Sequence, residues 1–205
     1  MDLYLGWINH PIAVNDLNIN PTLSTRQVSV IAVMTATCVS TNYLLIGVIN
    51  VKLMDLLVFV SGFAFGPLVG AIVGILTWLV YGTINPYGFS LPILAATCLG
   101  ESIYGAVGGL LGGMEAHRTD DTPGGRFRFF NAKFAIIGFL LTFAYDLLTN
   151  IVSGLVAGIP VAVALVGGIP FALTHELSNL AFFFVGVSPL VNAIRRLSSG
   201  GTILR

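Results

Sequence analysis

Residues 55–81, DLLVFVSGFAFGPLVGAIVGILTWLVY, carry one charge, at Asp55, and are otherwise apolar or small almost throughout. Gly62, Gly66, Gly70 and Gly74 fall four apart, so a continuous helix would present them as a bare stripe. Small residues at that spacing let helix backbones approach closely in a bilayer, where packing replaces the missing hydrophobic drive. Pro67 follows Gly66 directly; it removes a backbone donor and disfavours the helical region for the residue before it. At 1.5 Å per residue one helix over this stretch would reach roughly 40 Å, beyond a hydrocarbon core of about 30 Å. The stretch therefore reads as two short membrane helices with a tight turn at Gly66-Pro67. One long, kinked and tilted helix is the alternative.

The surrounding chain has the composition of a membrane protein. Of its 205 residues 56% are hydrophobic and 9% charged, and mean hydropathy is +0.92. Soluble domains carry about a quarter charged residues. The apolar runs are long and do not alternate, unlike the strands of a membrane barrel. The length allows about six helices with short loops, so the fold class expected is an all-α six-helix membrane bundle. A GxxxxGK[ST] phosphate loop is absent from the sequence, so ATP is not bound in that way. Cys38 and Cys98 lie in apolar segments and read as small buried hydrophobes.

Residues 1–24 have no basic n-region and read as a cytoplasmic or interfacial segment, with Tyr4 and Trp7 suited to the membrane interface. The transmembrane domain is expected over 25–197, followed by a cytoplasmic tail, 198–205. Within it the first span runs over 27–46, with Ala32 and Ala36 four apart. A connection at 47–54 contains Lys52. A turn-rich loop (82–90), a fourth span (91–114), a hydrophilic loop (115–131) and a fifth span (132–153) follow. Residues 154–169 are apolar but carry Gly154, Gly158, Pro160, Gly167 and Gly168; they read as a short surface helix or lid. The last span is expected over 170–191. With six spans Arg26, Arg118, Arg126, Arg128, Lys133, Arg195, Arg196 and Arg205 share one side, and Lys52 stands alone on the other. That side is then cytoplasmic and holds both termini. A five-span reading gives the same bias, so the bias does not decide the hairpin.

Glu101, Asp146, His175 and Glu176 fall inside the last three spans. A central, lipid-facing acid costs about 2.5–3.5 kcal/mol, so three would cost on the order of 8–10 kcal/mol. Helical spacing gives each polar company: Thr97, Glu101 and Tyr104; Thr142, Asp146 and Asn150; His175 or Glu176 with Asn179. Two readings are open, buried polar pairs that pin helix to helix, or a site for a small molecule or ion in the outer half of the bundle. With three acids and one histidine, the ligand expected is a small organic cation or amine donor, such as a thiamine-like compound, with Tyr104 and Tyr145 adding cation–π contacts. Asp55 reads as a helix cap. Trp78, Asn85 and Tyr87 read as entrance or interface residues. His175-Glu176 opens like HExxH, but Asn179 occupies the last position, which weakens an intramembrane metalloenzyme and leaves no catalytic or metal residue to name. An autonomous cation-coupled carrier is a further alternative, although the internal repeat common in such carriers is not evident.

From Arg26 to Arg196 the chain resembles a substrate-binding S component of the energy-coupling factor (ECF) vitamin transporters. The resemblance is carried by Ala32-x-x-x-Ala36, by KLMDLLVFVSGFAFGPLVGAIVG with its Asp and Gly-x-x-x-Gly-Pro-x-x-Gly, by TFAYDLLTNIVSGLVAGIP, and by GIPFALTHELSNLAFFFVGVSPL with its His and Asn. It implies a six-helix protein in a prokaryotic cell membrane, with both termini inside and an outward-facing pocket closed by loops. Such a protein binds a micronutrient and joins a transmembrane coupling subunit and two ATPases. ATP is used by those partners; the resemblance implies no cofactor in this chain and no nucleic acid. Ala32 and Ala36 would dock the coupling subunit. The pocket would draw on Glu101, Tyr104, Tyr145, Asp146, Asn150, His175, Glu176 and Asn179.

Overall fold

The computed structural model describes residues 23–84, 86, 88–116 and 126–200. The N-terminal segment through residue 22, Asn85, Tyr87, the run 117–125 with Arg118, and the tail with Arg205 lie outside the described residues. The described residues form six helices and no strand: α1 (Thr25–Leu44), α2 (Met54–Phe65), α3 (Pro67–Ile84), α4 (Leu91–Ala116), α5 (Arg126–Ala157) and α6 (Val161–Gly200). Four of them, α3 to α6, are long and apolar enough to cross a membrane.

The break at Gly66 is local chemistry. Gly66 has φ +99°, a region open to glycine, and Pro67 starts α3 where its missing N–H costs nothing. The glycine stripe then places backbone on backbone. A Cβ on Gly62 would stand 1.9 Å from the carbonyl oxygen of Gly105, and one on Gly74 2.6 Å from that of Glu101. α4 answers with two rows: Gly105 and Gly109 against Gly70 and Pro67, Gly108 and Gly112 against the carbonyls of Phe59 and Phe63. α2 is therefore enclosed. Its residues from Met54 to Phe63 are all buried, and it packs against α1, α3, α4 and α6. A helix apolar on every side fits such a central place. Phe59 meets Phe134 and Phe183 edge-on, with centroids 5.7 and 5.1 Å away, and closes the core toward α5 and α6.

α1 starts two residues before the expected span because Ser24 and Gln27 form a reciprocal capping box. Its inner face is Ile31, Thr35, Cys38 and Asn42; Ala32, Ala36 and Ser40 lie exposed on the outer face.

The separate helix or lid expected over 154–169 does not form. α5 runs on to Ala157, the chain turns at Gly158, Ile159 and Pro160, and α6 continues unbroken through Pro170. Two of the glycines taken as breaks serve close approach. A Cβ on Gly154 would lie 2.7 Å from that of Ala164, and one on Gly168 2.7 Å from Asn150 Oδ1. Only Gly158, at φ +67°, turns the chain. Residues 126–131, expected in a loop, are the first turns of α5. Nearby, Lys133 pairs with Glu115 at 2.5 Å, joining α5 to the end of α4.

Candidate ligand chamber

One end of the bundle gathers the α1–α2 connection, the α3–α4 connection and the upper part of α6. Tyr43 donates to the Ile84 carbonyl at 3.0 Å, and Asn50 to the Phe171 carbonyl at 2.8 Å. Asn50 takes a left-handed φ of 53°, which asparagine tolerates better than most residues. Between these elements lies a cavity of about 650 Å³, lined by Asn42, Asn50, Lys52, Trp78, Tyr81, Phe89, Ser90, Thr97 and Phe171 among others. A second lobe of about 270 Å³ shares Asn50, Lys52, Trp78, Thr97 and Phe171 with it and adds Tyr145, Asp146, Thr149 and Asn150. The chamber thus has a broad aromatic part and a narrower polar part. Lys52 Nζ sits at their junction, 5.2 Å from the ring centres of both Trp78 and Tyr145.

Beneath the chamber the embedded charges meet. His175 lies between two carboxylates, with Nε2 2.6 Å from Asp55 Oδ2 and Nδ1 3.0 Å from Asp146 Oδ1. Carboxylates only accept, so the arrangement suits an imidazolium donating from both nitrogens. Asn179 donates to Asp55 Oδ2 at 2.6 Å and to Thr142 Oγ1 at 2.8 Å. Tyr104 also donates to Thr142 Oγ1, at 2.8 Å, and Thr142 passes its own hydrogen to the Gly138 carbonyl. Trp78 Nε1 reaches Glu101 Oε2 at 3.3 Å, so the chamber wall rests on Glu101.

Of the eight residues expected in the pocket, Tyr145, Asp146 and Asn150 line the polar lobe. Glu101, Tyr104, His175 and Asn179 lie below it, each at most 1% exposed. They hold the floor rather than face the space above. Glu176 is 6% exposed and lines neither lobe. Asp55 is not a cap: the start of α2 has no side-chain cap, and the Asp55 carboxylate goes to His175 and Asn179 instead. Trp78 does line the chamber. The residues that sequence reasoning missed are Asn42, Asn50, Lys52, Phe89 and Phe171. Lys52 had a signal, as the one basic residue on its side of the chain; the others are polar or aromatic residues of a kind common near helix ends.

The fold defines an all-helical membrane protein with a two-lobed cavity at one end of its bundle. The family model described as "ECF-type riboflavin transporter, S component" matches residues 22–196, and the chain belongs to that family. No curated protein and no solved structure matches it.

Proposed function

We propose that the chain captures riboflavin in this chamber from outside the cell and delivers it inward together with a coupling subunit and two ATPases. The family match is the observation that carries the reading, and the chamber's chemistry supports it. Riboflavin is a neutral molecule with a flat tricyclic ring and a polyol chain. The broad lobe offers Trp78, Tyr81, Phe89 and Phe171 to a ring; the polar lobe offers Asn50, Asp146, Thr149 and Asn150 to hydroxyls. A volume of this size suits a small ligand. A cationic ligand was expected because His175 seemed to stand alone against three acids. Lys52 now adds a positive charge to the chamber wall itself, which favours the neutral flavin over a thiamine-like cation.

Titration of the purified protein with riboflavin, read by quenching of flavin fluorescence, tests the reading. Saturable quenching that excess thiamine does not reverse is the expected result; thiamine binding without flavin binding would overturn it. Trp78→Ala should weaken flavin binding about 5- to 150-fold, since stacking on an aromatic ring is worth roughly 1–3 kcal/mol. Trp78→Phe keeps a ring and should retain most of the affinity.

The proposed topology has six crossings, with α1 and the short α2 counted among them, and the chamber end outside. It follows from the eight-to-one distribution of basic residues. Val48, half exposed near the chamber mouth, marks the outer side. In a background without Cys38 and Cys98, Val48→Cys should react with an impermeant thiol reagent on intact cells and Arg126→Cys should not. The reverse pattern would invert the orientation.

A further inference from the structure

We propose that Lys52 orients the ligand, its ammonium donating to the C2 carbonyl oxygen of the flavin, on the ring edge beside the polyol chain. The inference rests on the flavin reading above and adds to it which edge of the ring is recognised, and by what. Lys52 stands on the α1–α2 connection, just ahead of α2, and is half-buried. It lines the broad aromatic lobe and the polar lobe alike. Its Nζ is 5.2 Å from the ring centres of both Trp78 and Tyr145, and those two rings are 28° from parallel with centroids 6.3 Å apart. Such a seat fixes the position of the charge but offers its N–H groups no lone pair to donate to.

Among the described residues Lys52 enters no ion pair, and its Nζ has no hydrogen-bond acceptor. The acids in and under the chamber are engaged elsewhere: Asp146 accepts from His175, Asp55 from His175 and Asn179, and Glu101 from Trp78. An ammonium only donates. A ligand that fills the chamber displaces water from Lys52 and must then supply an acceptor itself, or leave a charged donor unsatisfied. With the ring in the aromatic lobe and the polyol in the polar lobe, the junction holds the part of the ring around N10, the atom that bears the chain. Two edges flank N10. On the benzenoid side stands a C–H group, which accepts nothing. On the pyrimidine side stand N1 and the C2 carbonyl, both acceptors. Only the second satisfies the ammonium, so Lys52 decides which way round the ring enters.

The test uses the purified full chain, titrated with riboflavin and examined with riboflavin carrying carbon-13 at C2, which marks the C2 carbonyl stretch in infrared difference spectra. Lys52→Met keeps a long side chain and removes the charge. It should bind riboflavin about 10- to 150-fold more weakly, the loss expected for a hydrogen bond from a charged donor. The marked band should stand at lower frequency in the wild type than in Lys52→Met, because a charge-assisted hydrogen bond weakens the carbonyl. Equal affinity overturns the proposal. So does weakened affinity with the band unmoved, the pattern of a lysine that only supports its loop. In both cases the wild type still binds riboflavin and the flavin reading stands. A wild type that binds no riboflavin overturns that reading and this inference with it. If Lys52→Met does not fold, or binds too weakly for spectra, the wild type decides. 2-Thioriboflavin, with sulfur as a poorer acceptor in place of that oxygen, should bind it more weakly than riboflavin does; equal or tighter binding overturns the proposal.

Discussion

Gly105→Val should fail to give a folded protein, or should melt far below the wild type, with a loss of 3 kcal/mol or more on the order expected for severe overpacking. A Cβ at this position would lie 2.1 Å from the backbone carbon of Gly70 and 2.2 Å from its oxygen. Neither atom can turn aside as a side-chain tip could, so α3 and α4 must separate. α4 also carries Gly108 and Gly112 against α2, and its displacement would unseat the central helix too. Gly113, eight residues further along α4, is the control. Nothing lies within 4 Å of a Cβ there, so Gly113→Ala should be neutral or stabilising by up to about 1 kcal/mol. Thermal unfolding in detergent compares the two. Equal melting temperatures would show that α3 and α4 do not pack backbone to backbone.

The second large effect concerns transport. Ala32→Trp should leave riboflavin affinity near the wild-type value and reduce ATP-dependent uptake at least tenfold. Ala32 and Ala36 are exposed on α1, while the residues of α1 that support the fold, Ile31, Thr35, Cys38 and Asn42, lie on the opposite face. Of these only Asn42 reaches the chamber. A bulky residue on the outer face would hold a partner helix away without touching the ligand. Uptake by whole cells and flavin titration of the purified variant separate the two quantities. Retention of both would remove Ala32 from the proposed docking surface; loss of both would place it in the fold instead.

The glycine spacing and Gly66-Pro67 were legible in the sequence because each acts through backbone geometry close at hand. The embedded polar residues were legible because a membrane interior makes them expensive, whatever their role. Their division of labour was not. Spacing along a helix tells which residues share a face, but not whether that face meets a cavity or another helix. Glu101 and His175 thus resembled wall residues and are floor residues, while Asp146 is both. Asp55 looked like a cap because it stands at a helix start. Its partner His175 is 120 positions away, and a capping rule reads only neighbours. The unbroken α6 was hidden for a related reason: glycine that breaks a helix and glycine that admits a neighbouring helix are the same letter. Lys52 looked like a loop residue, and only the meeting of Trp78 with Tyr145 gives it a seat.

The shortness of α2 has a geometric consequence for the chamber. Its 12 residues rise about 18 Å, against a hydrocarbon thickness of about 30 Å. On the proposed topology its start lies some 12 Å below the outer surface of the hydrocarbon, with Lys52 and Val51 just above it in the chamber lining. A cylinder about 12 Å long and as wide as a helix, about 10 Å, encloses roughly 900 Å³, the same order as the cavity of about 650 Å³ found there. The cavity is thus close to the imprint of two absent helical turns. The surrounding helices need not bend apart to create it, and its height is set by where one helix begins.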